Sequence, residues 1–324
     1  MGAQQPVAGT MPKRAPKQKR GVSTERSGKD TMQGFLFIAP AVTLLGALIV
    51  YPMIQTIRVS FSEAPGLVYN GWIGLSNYKE LLTEDPDFLD RSSFPPSGAL
   101  INNVRWVIVY ISLSLLLGLA FAILTTRVRY ESFLKAIIFV PMAISATAVG
   151  LIWLFVYSPD PGIGVLNAIW HNWLGQNPIS WLGRESTVNY AIIMSYVWAS
   201  TGFVMVVLSA AIKGIPQEVI EAARTDGAGE WAIFRRVIFP MLSLPISVVT
   251  VWLFINVIKV FDIIYVMTQG GPGTSSRVIA YTMFTELFSG RGGYGSAVAV
   301  LMLLLMVPFM ALNIRRFRSE ALVS

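Results

Sequence analysis

The sequence contains no cysteine, which excludes disulfides, thiolate-held metals and a cysteine nucleophile. It is also poor in charge. Asp, Glu, Lys and Arg make up 13% of its 324 residues, against about 25% in soluble domains. The single histidine, His171, stands in a polar loop between apolar runs and reads as a solvated or interfacial residue with no acid–base role. A phosphate-binding loop is missing too. Gly28 and Lys29 invite that reading, yet Ser23 occupies the place of its first glycine and Asp30 that of its Ser or Thr. The chain carries no ATP motif, and no catalytic or metal-ligating residue is assigned.

What the chain has in abundance is apolar length. Hydrophobic residues make up 54% of it and its mean hydropathy is +0.58, the composition of an integral membrane protein. Six apolar runs, at about 34–57, 100–126, 133–157, 188–212, 241–267 and 294–314, each supply the roughly 20 residues a spanning helix needs. The first exceeds a secretory signal's apolar core and no small-residue cleavage site follows it, so it reads as an uncleaved span. Pro40 and Pro52 remove backbone donors there, which membrane helices tolerate when neighbours repair the loss. The expected fold is therefore all-α, with six transmembrane helices.

Residues 1 to 33 hold seven Lys or Arg among Gly, Pro and Ser, the composition of a flexible tail that anchors topology or touches anionic lipid. The net charge of +7 does not point to nucleic acid, because the basic residues flank the apolar runs. The tail and residues 127–135, 213–239 and 315–324 carry 7, 3, 4 and 3 Lys or Arg. The opposite loops, 62–99, 158–187 and 268–293, carry only Lys79, Arg91, Arg184, Arg277 and Arg291. That asymmetry predicts a multi-pass protein with both termini in the cytoplasm. Trp72, Trp170, Trp173 and Trp181 then fall at the outer interface.

One cytoplasmic connection, residues 213–240, is long and helix-capable. Pro216 suits the first helical position, Gln217 and Glu218 suit a helix N-terminus, and Glu221 and Arg224 are spaced to pair. Gly227 and Gly229 punctuate the helix, and a second helix is expected over 231–239. Small residues such as Ala222 and Ala223 on an exposed helix permit close approach by another protein, whereas a lipid-resting helix carries large anchors and many lysines.

Glu221-Ala222-Ala223, then Gly227, then Val237-Ile238-Phe239-Pro240 resembles the EAA signature of ABC importer permeases. Val237 and Phe239 are conservative departures from its common Ile-x-Leu-Pro ending. Over about residues 30–318 the chain resembles the carbohydrate branch of that family, of maltose, glycerol-3-phosphate and α-glucoside type. The segments FLFIAPAVTLLGALIVYP, WIGLSNY at 72–78, FVP at 139–141 and FDIIYVMTQGGPG at 261–273 carry the likeness. The resemblance implies a type I importer permease with a methionine-permease-like core, organised as a basic tail (1–33), a six-helix permease domain (34–318) and a cytoplasmic C-terminus (319–324). It implies that Glu221, Ala222, Ala223, Arg224 and Gly227 couple the chain to a cytoplasmic ATPase, a homo- or heterodimer that binds ATP and Mg; this chain needs no cofactor of its own. A second homologous permease and an extracytoplasmic sugar-binding protein complete the implied assembly, within membrane lipid.

Polar residues that persist inside spans usually face the bundle or a water-filled cavity. Span five offers Asn256, a candidate sugar ligand, and Lys259 with Asp262, which read either as an internal ion pair or as substrate contacts. Trp198, Ser200 and Phe203 of span four, with Met142 and Ser145 of span three, add aromatic faces and hydrogen-bonding groups suited to a sugar. By resemblance, sugar in maltose-type permeases is held at positions that match Met142, Ala146, Ser200, Phe203 and Asn256. Several of these are less polar here, which leaves open whether this subunit binds sugar or only lines its path. Gly270 to Gly273 read as a tight outer turn or a binding-protein contact. An ion-coupled carrier is the competing class, but Asp262 is the one plausible intramembrane acid and no inverted repeat is visible. A purely structural membrane protein is the third. No Lys or Arg cluster offers to hold a phosphate near mid-membrane, which favours a disaccharide such as trehalose, maltose or another α-glucoside over glycerol phosphate.

Overall fold

A computed structural model describes residues 28–92, 94–126 and 128–321. Most of the basic tail, and the last three residues, lie outside the described residues. The chain divides after Pro52 into two compact units, the second holding all that follows from Met53. Helices dominate, and among the described residues β-pairing is confined to isolated bridges such as Ser62 with Trp72 and Asp90 with Ser97.

Four helices among the described residues are long and apolar enough to cross a membrane: Phe35–Ser60 (α1), Ala99–Thr125 (α2), Glu185–Lys213 (here α5) and Gly292–Ala311, part of the helix Gly292–Ala321 (here α11). Between α2 and α5 lie Glu131–Phe139 (α3) and Ala146–Val156 (α4). After α5 come Gln217–Thr225 (α6), Glu230–Met241 (α7), Ser243–Ile258 (α8), Asp262–Met267 (α9) and Ile279–Phe288 (α10). In α1, apolar side chains such as Phe35, Phe37 and Leu48 are exposed, as a helix surrounded by lipid requires.

Two of the expected spans are broken. The run at 133–157 bends by 101° between α3 and α4. Pro141 sits in a 3₁₀ turn over Val140–Ala143, Ile144 is extended, and Ser145 restarts the helix by accepting a hydrogen bond from the Ala148 N–H. The run at 241–267 is interrupted at Lys259–Phe261. The carbonyl of Val257, near the end of α8, accepts from Asn103 Nδ2 at 3.2 Å and from the Val260 N–H at 3.3 Å. A 63° bend also separates α7 from α8. By length and composition, the described residues hold up to six candidate crossings, if each bent pair counts as one.

The core forms where α2 and α5 lie together, packed by Trp106, Tyr110, Ile192, Met205 and Leu208, with α4, α8 and α9 against them. A second cluster joins α10, α11 and the short helices around Leu81 and Phe88. Side chains from distant segments fix which ends of the helices lie together. At one end, Lys213 closing α5 reaches Glu131 opening α3 at 2.7 Å, and Ser247 of α8 donates to Asn313 of α11 at 2.8 Å. At the other, Arg277 pairs with Asp87, and Asn102 opening α2 donates to the carbonyls of Ser275 and Arg277 at 2.9 and 2.8 Å. The basic connections 127–135 and 213–239 thus share one end of the bundle, opposite the loops poor in Lys and Arg. At this second end Tyr78 shares a hydrogen bond with Ser60, and burial holds its phenol above the ordinary value.

Candidate functional site

The connection 213–240 folds as a helix, a turn and a second helix, with two differences from expectation. Pro216 precedes the first helix instead of opening it, with ψ at 130°, so α6 starts at Gln217. Arg224 does not pair with Glu221. It crosses the turn and grips Glu230 Oε1 through Nε and Nη2, at 3.1 and 2.9 Å. The turn makes this possible. Gly227 has φ +81°, and the Gly227 and Ala228 N–H groups donate to the carbonyls of Arg224 and Ala223, capping α6 with paired reverse-turn bonds. A side chain at Gly227 would meet open space but a backbone that L-residues resist. The second helix begins at Glu230 and runs through a π-helical turn at Phe234–Ile238.

No residue of α6 is buried, and Glu221 and Ala222 are exposed. Beneath it lies a cavity of about 680 Å³ walled by Ile123, Ile212, Ile220, Trp231, Phe234 and Ile238. Trp231 and Phe239 are exposed as well. The pair of helices is braced within itself by Arg224–Glu230 and stands off the bundle. That arrangement offers a shallow, small-residue face to something else.

The residues singled out along the membrane path lie on three adjoining elements. Gly202 of α5 is pressed against the backbone of Ile138 and Phe139, where an added Cβ would come within 2.4 Å of the Ile138 carbonyl oxygen. That close approach seats the elbow carrying Met142, Ser145 and Ala146 beside Trp198, Ser200 and Phe203. The Trp153 and Trp198 rings meet edge to face at 5.8 Å, and Phe203 contacts Trp252 of α8 at 4.3 Å. Met142, Ala146, Phe203 and Asn256 are half-buried, and Ser145 is exposed. Trp198 is 38% exposed. Asn256 donates to the carbonyl of Trp252 at 2.8 Å.

Two of the candidates behave differently. Ser200 is buried; its hydroxyl accepts from Tyr110 and donates to the Tyr196 carbonyl, both at 2.8 Å. Lys259 and Asp262 do not share one helical face, because α8 ends between them, and no ion pair joins them among those of the described residues. Both are exposed.

Sequence reading passed over three asparagines. Asn102 and Asn103 in α2 and Asn189 in α5 are buried, and their carboxamides hold the loop that follows α9. Asn103 Oδ1 accepts from the Ile279 N–H at 2.8 Å, and Asn189 donates to the Ser275 carbonyl. The rule that drew attention to Asn256 applies equally to them, since all three lie within or beside apolar runs. The loop they hold includes Gly270 to Gly273, and the Ser276 hydroxyl donates to the Gly271 carbonyl at 2.7 Å. His171 is exposed on a short helix, its Nδ1 3.1 Å from the Gln176 carbonyl.

Residues 114–314 match the model of a protein family described as the binding-protein-dependent transport system inner membrane component. The chain belongs to this family. The match encloses α6, α7 and every candidate pathway residue. The permease is 43% identical over 290 residues to the osmoprotective compounds uptake permease protein GgtC of Synechocystis, covering 88% of this chain and 99% of that one. It is 39% identical over 298 residues to the α-glucoside transport system permease protein AglF of Rhizobium meliloti, covering 90% and 84%. Its fold resembles a chain of a bacterial ABC transporter involved in import of the acidic polysaccharide alginate, with a TM-score of 0.70, 23% identity and coverage of 90% and 99%. Such relatives are permease subunits and not enzymes, and the permease is accordingly a multi-pass membrane protein. Membership in a binding-protein-dependent system sets aside the ion-coupled carrier and the purely structural reading.

Proposed function

We propose that the permease is one of two membrane subunits of an ATP-driven sugar importer, and that its substrate is an α-glucoside of di- or oligosaccharide size. The α-glucoside permease relative at 39% identity supports that class over glycerol phosphate, as does the lack of a basic cluster among the pathway candidates. Both termini lie in the cytoplasm, each bent pair of helices makes one crossing, and the permease domain spans residues 34–318. The shared end of the basic connections supports this topology.

The observation that carries the reading is the exposed, self-braced helix α6 at that basic end. Glu221, Ala222, Ala223 and Arg224 seat in a cleft of a cytoplasmic ATPase dimer, and Gly227 sets the turn that presents them. Closure of the ATPase around ATP moves the helix, and the bundle opens outward to accept sugar from an extracytoplasmic binding protein. Met142, Ser145, Ala146, Trp198, Phe203 and Asn256 line the path. Aromatic faces cover the apolar faces of the sugar rings while Asn256 and Ser145 meet hydroxyls. Ser200 shapes the wall through Tyr110, and Asp262 stands beside the path after the break in the span.

Co-purification tests the assembly. The permease is expected to retain an ATPase partner in mild detergent, and Glu221→Lys is expected to release it. An intact complex in the Glu221→Lys variant would remove the coupling assignment.

A further inference from the structure

The N-terminal end of α3 carries a polar clamp that the coupling helix and the pathway do not account for. Glu131 accepts from Lys213, the last residue of α5, at 2.7 Å, and from Lys135 one turn along its own helix. Lys135 also donates to Ser209, which is fully buried in α5. Lys213 lies four residues ahead of Gln217, where α6 begins. One carboxylate therefore joins the root of the coupling helix to α3.

Helix α3 is suited to pass on a displacement. None of its residues is buried, and Ile138 packs on the core. It is held to α5 at two levels, by this clamp and by the approach of Gly202 to Ile138 and Phe139. Its far end is the elbow at residues 140–145, which turns the chain through 101° and carries Met142 and Ser145. A rigid nine-residue rod thus runs from the clamp to the path.

We propose that Glu131 is a positioning residue that transmits movement of the coupling helix through Lys213 to α3 and the elbow. Two sites communicate when a contiguous element with two arrangements is biased by both. Here the element is the elbow and the connecting contact is Glu131–Lys213. The inference rests on the reading of α6 as the coupling helix.

The test uses the whole complex in liposomes, with the ATPase, the second permease and the sugar-bound binding protein. Sugar transported per ATP hydrolysed is measured for wild type, Glu131→Gln, Lys213→Met and the double variant, with Glu221→Lys alongside. Each single variant is expected to assemble, to keep its basal ATPase rate, and to lower the transport ratio about fivefold or more, the low end of coupling between sites. The double variant is expected to match Glu131→Gln, because Lys213 acts through Glu131. Wild-type ratios in the single variants, or losses that multiply in the double, overturn the inference. If Glu131→Gln fails to assemble, Lys213→Met decides, since it leaves the Glu131–Lys135 pair in place. A silent Glu131→Gln beside a dead Glu221→Lys defeats this inference alone, whereas a fully active Glu221→Lys defeats the coupling reading beneath it.

Discussion

A few side chains decide this structure by satisfying backbone groups that a membrane interior leaves without water. Asn103 serves the Ile279 N–H and the Val257 carbonyl together. Asn103→Ala removes the partner of the Ile279 N–H, at about 1–3 kcal/mol for a buried group left unsatisfied, and is expected to lower the thermal unfolding midpoint of the detergent-purified permease; the Val257 carbonyl keeps the Val260 N–H. Gly227 works through its backbone. Its φ of +81° costs an ordinary L-residue about 1–2 kcal/mol, so Gly227→Val is expected to distort the turn and weaken ATPase association while the bundle remains folded. Equilibrium binding of the ATPase to purified permease measures this. The Gly227 turn was legible in the sequence as glycine punctuation. The Arg224–Glu230 brace was not, because only the turn geometry brings those two residues together.

The elements differ in how far their sequence announced them. Helices α2 and α5 follow from unbroken apolar length: α5 exceeds its run of 188–212 at both ends, and α2 is shifted by one residue from its run of 100–126. The breaks were hidden because hydropathy continues across them. The run at 133–157 was read as one span, although Pro141 lies within it, and the 101° elbow also needs Gly202 to admit the backbone of Ile138 and Phe139. The interruption at Lys259–Phe261 depends on Asn103, 154 positions from Val257, and so was invisible locally. That break also explains why Lys259 and Asp262, three apart in sequence, do not pair. Gly202→Leu is expected to force α3 away from α5, at about 1–3 kcal/mol of overpacking strain. Loss of monodisperse protein on size exclusion, with transport reduced in whatever assembles, would mark that effect.

At the scale of the whole molecule, the charge count and the structure agree on one grouping, connection 127–135 with 213–239, while most of the basic tail lies outside the described residues. Positive charge predicted which segments lie together, and the contacts Lys213–Glu131 and Asn102–Ser275 place the ends accordingly. The family was legible because the EAA-like loop has both a characteristic spacing and an unusual position between spans. The sugar was not, because the proposed pathway residues, among them Met142, Ala146 and Phe203, are largely apolar and match no one sugar's hydroxyl pattern. The absence of native cysteine makes topology directly testable. Ala228→Cys is expected to react with an impermeant maleimide only from the cytoplasmic side, and Gly175→Cys only from outside. Labelling of both from one side would contradict the orientation.

The central claim is that an exposed helix of this permease transmits the work of an ATPase to sugar import. It is tested most directly by uptake of a labelled α-glucoside into ATP-loaded liposomes that hold the assembled complex, with the binding protein outside. Wild type is expected to accumulate sugar, and Glu221→Lys, at an exposed position, is expected to abolish accumulation and ATPase association with thermal stability unchanged. Undiminished accumulation by Glu221→Lys would contradict the account.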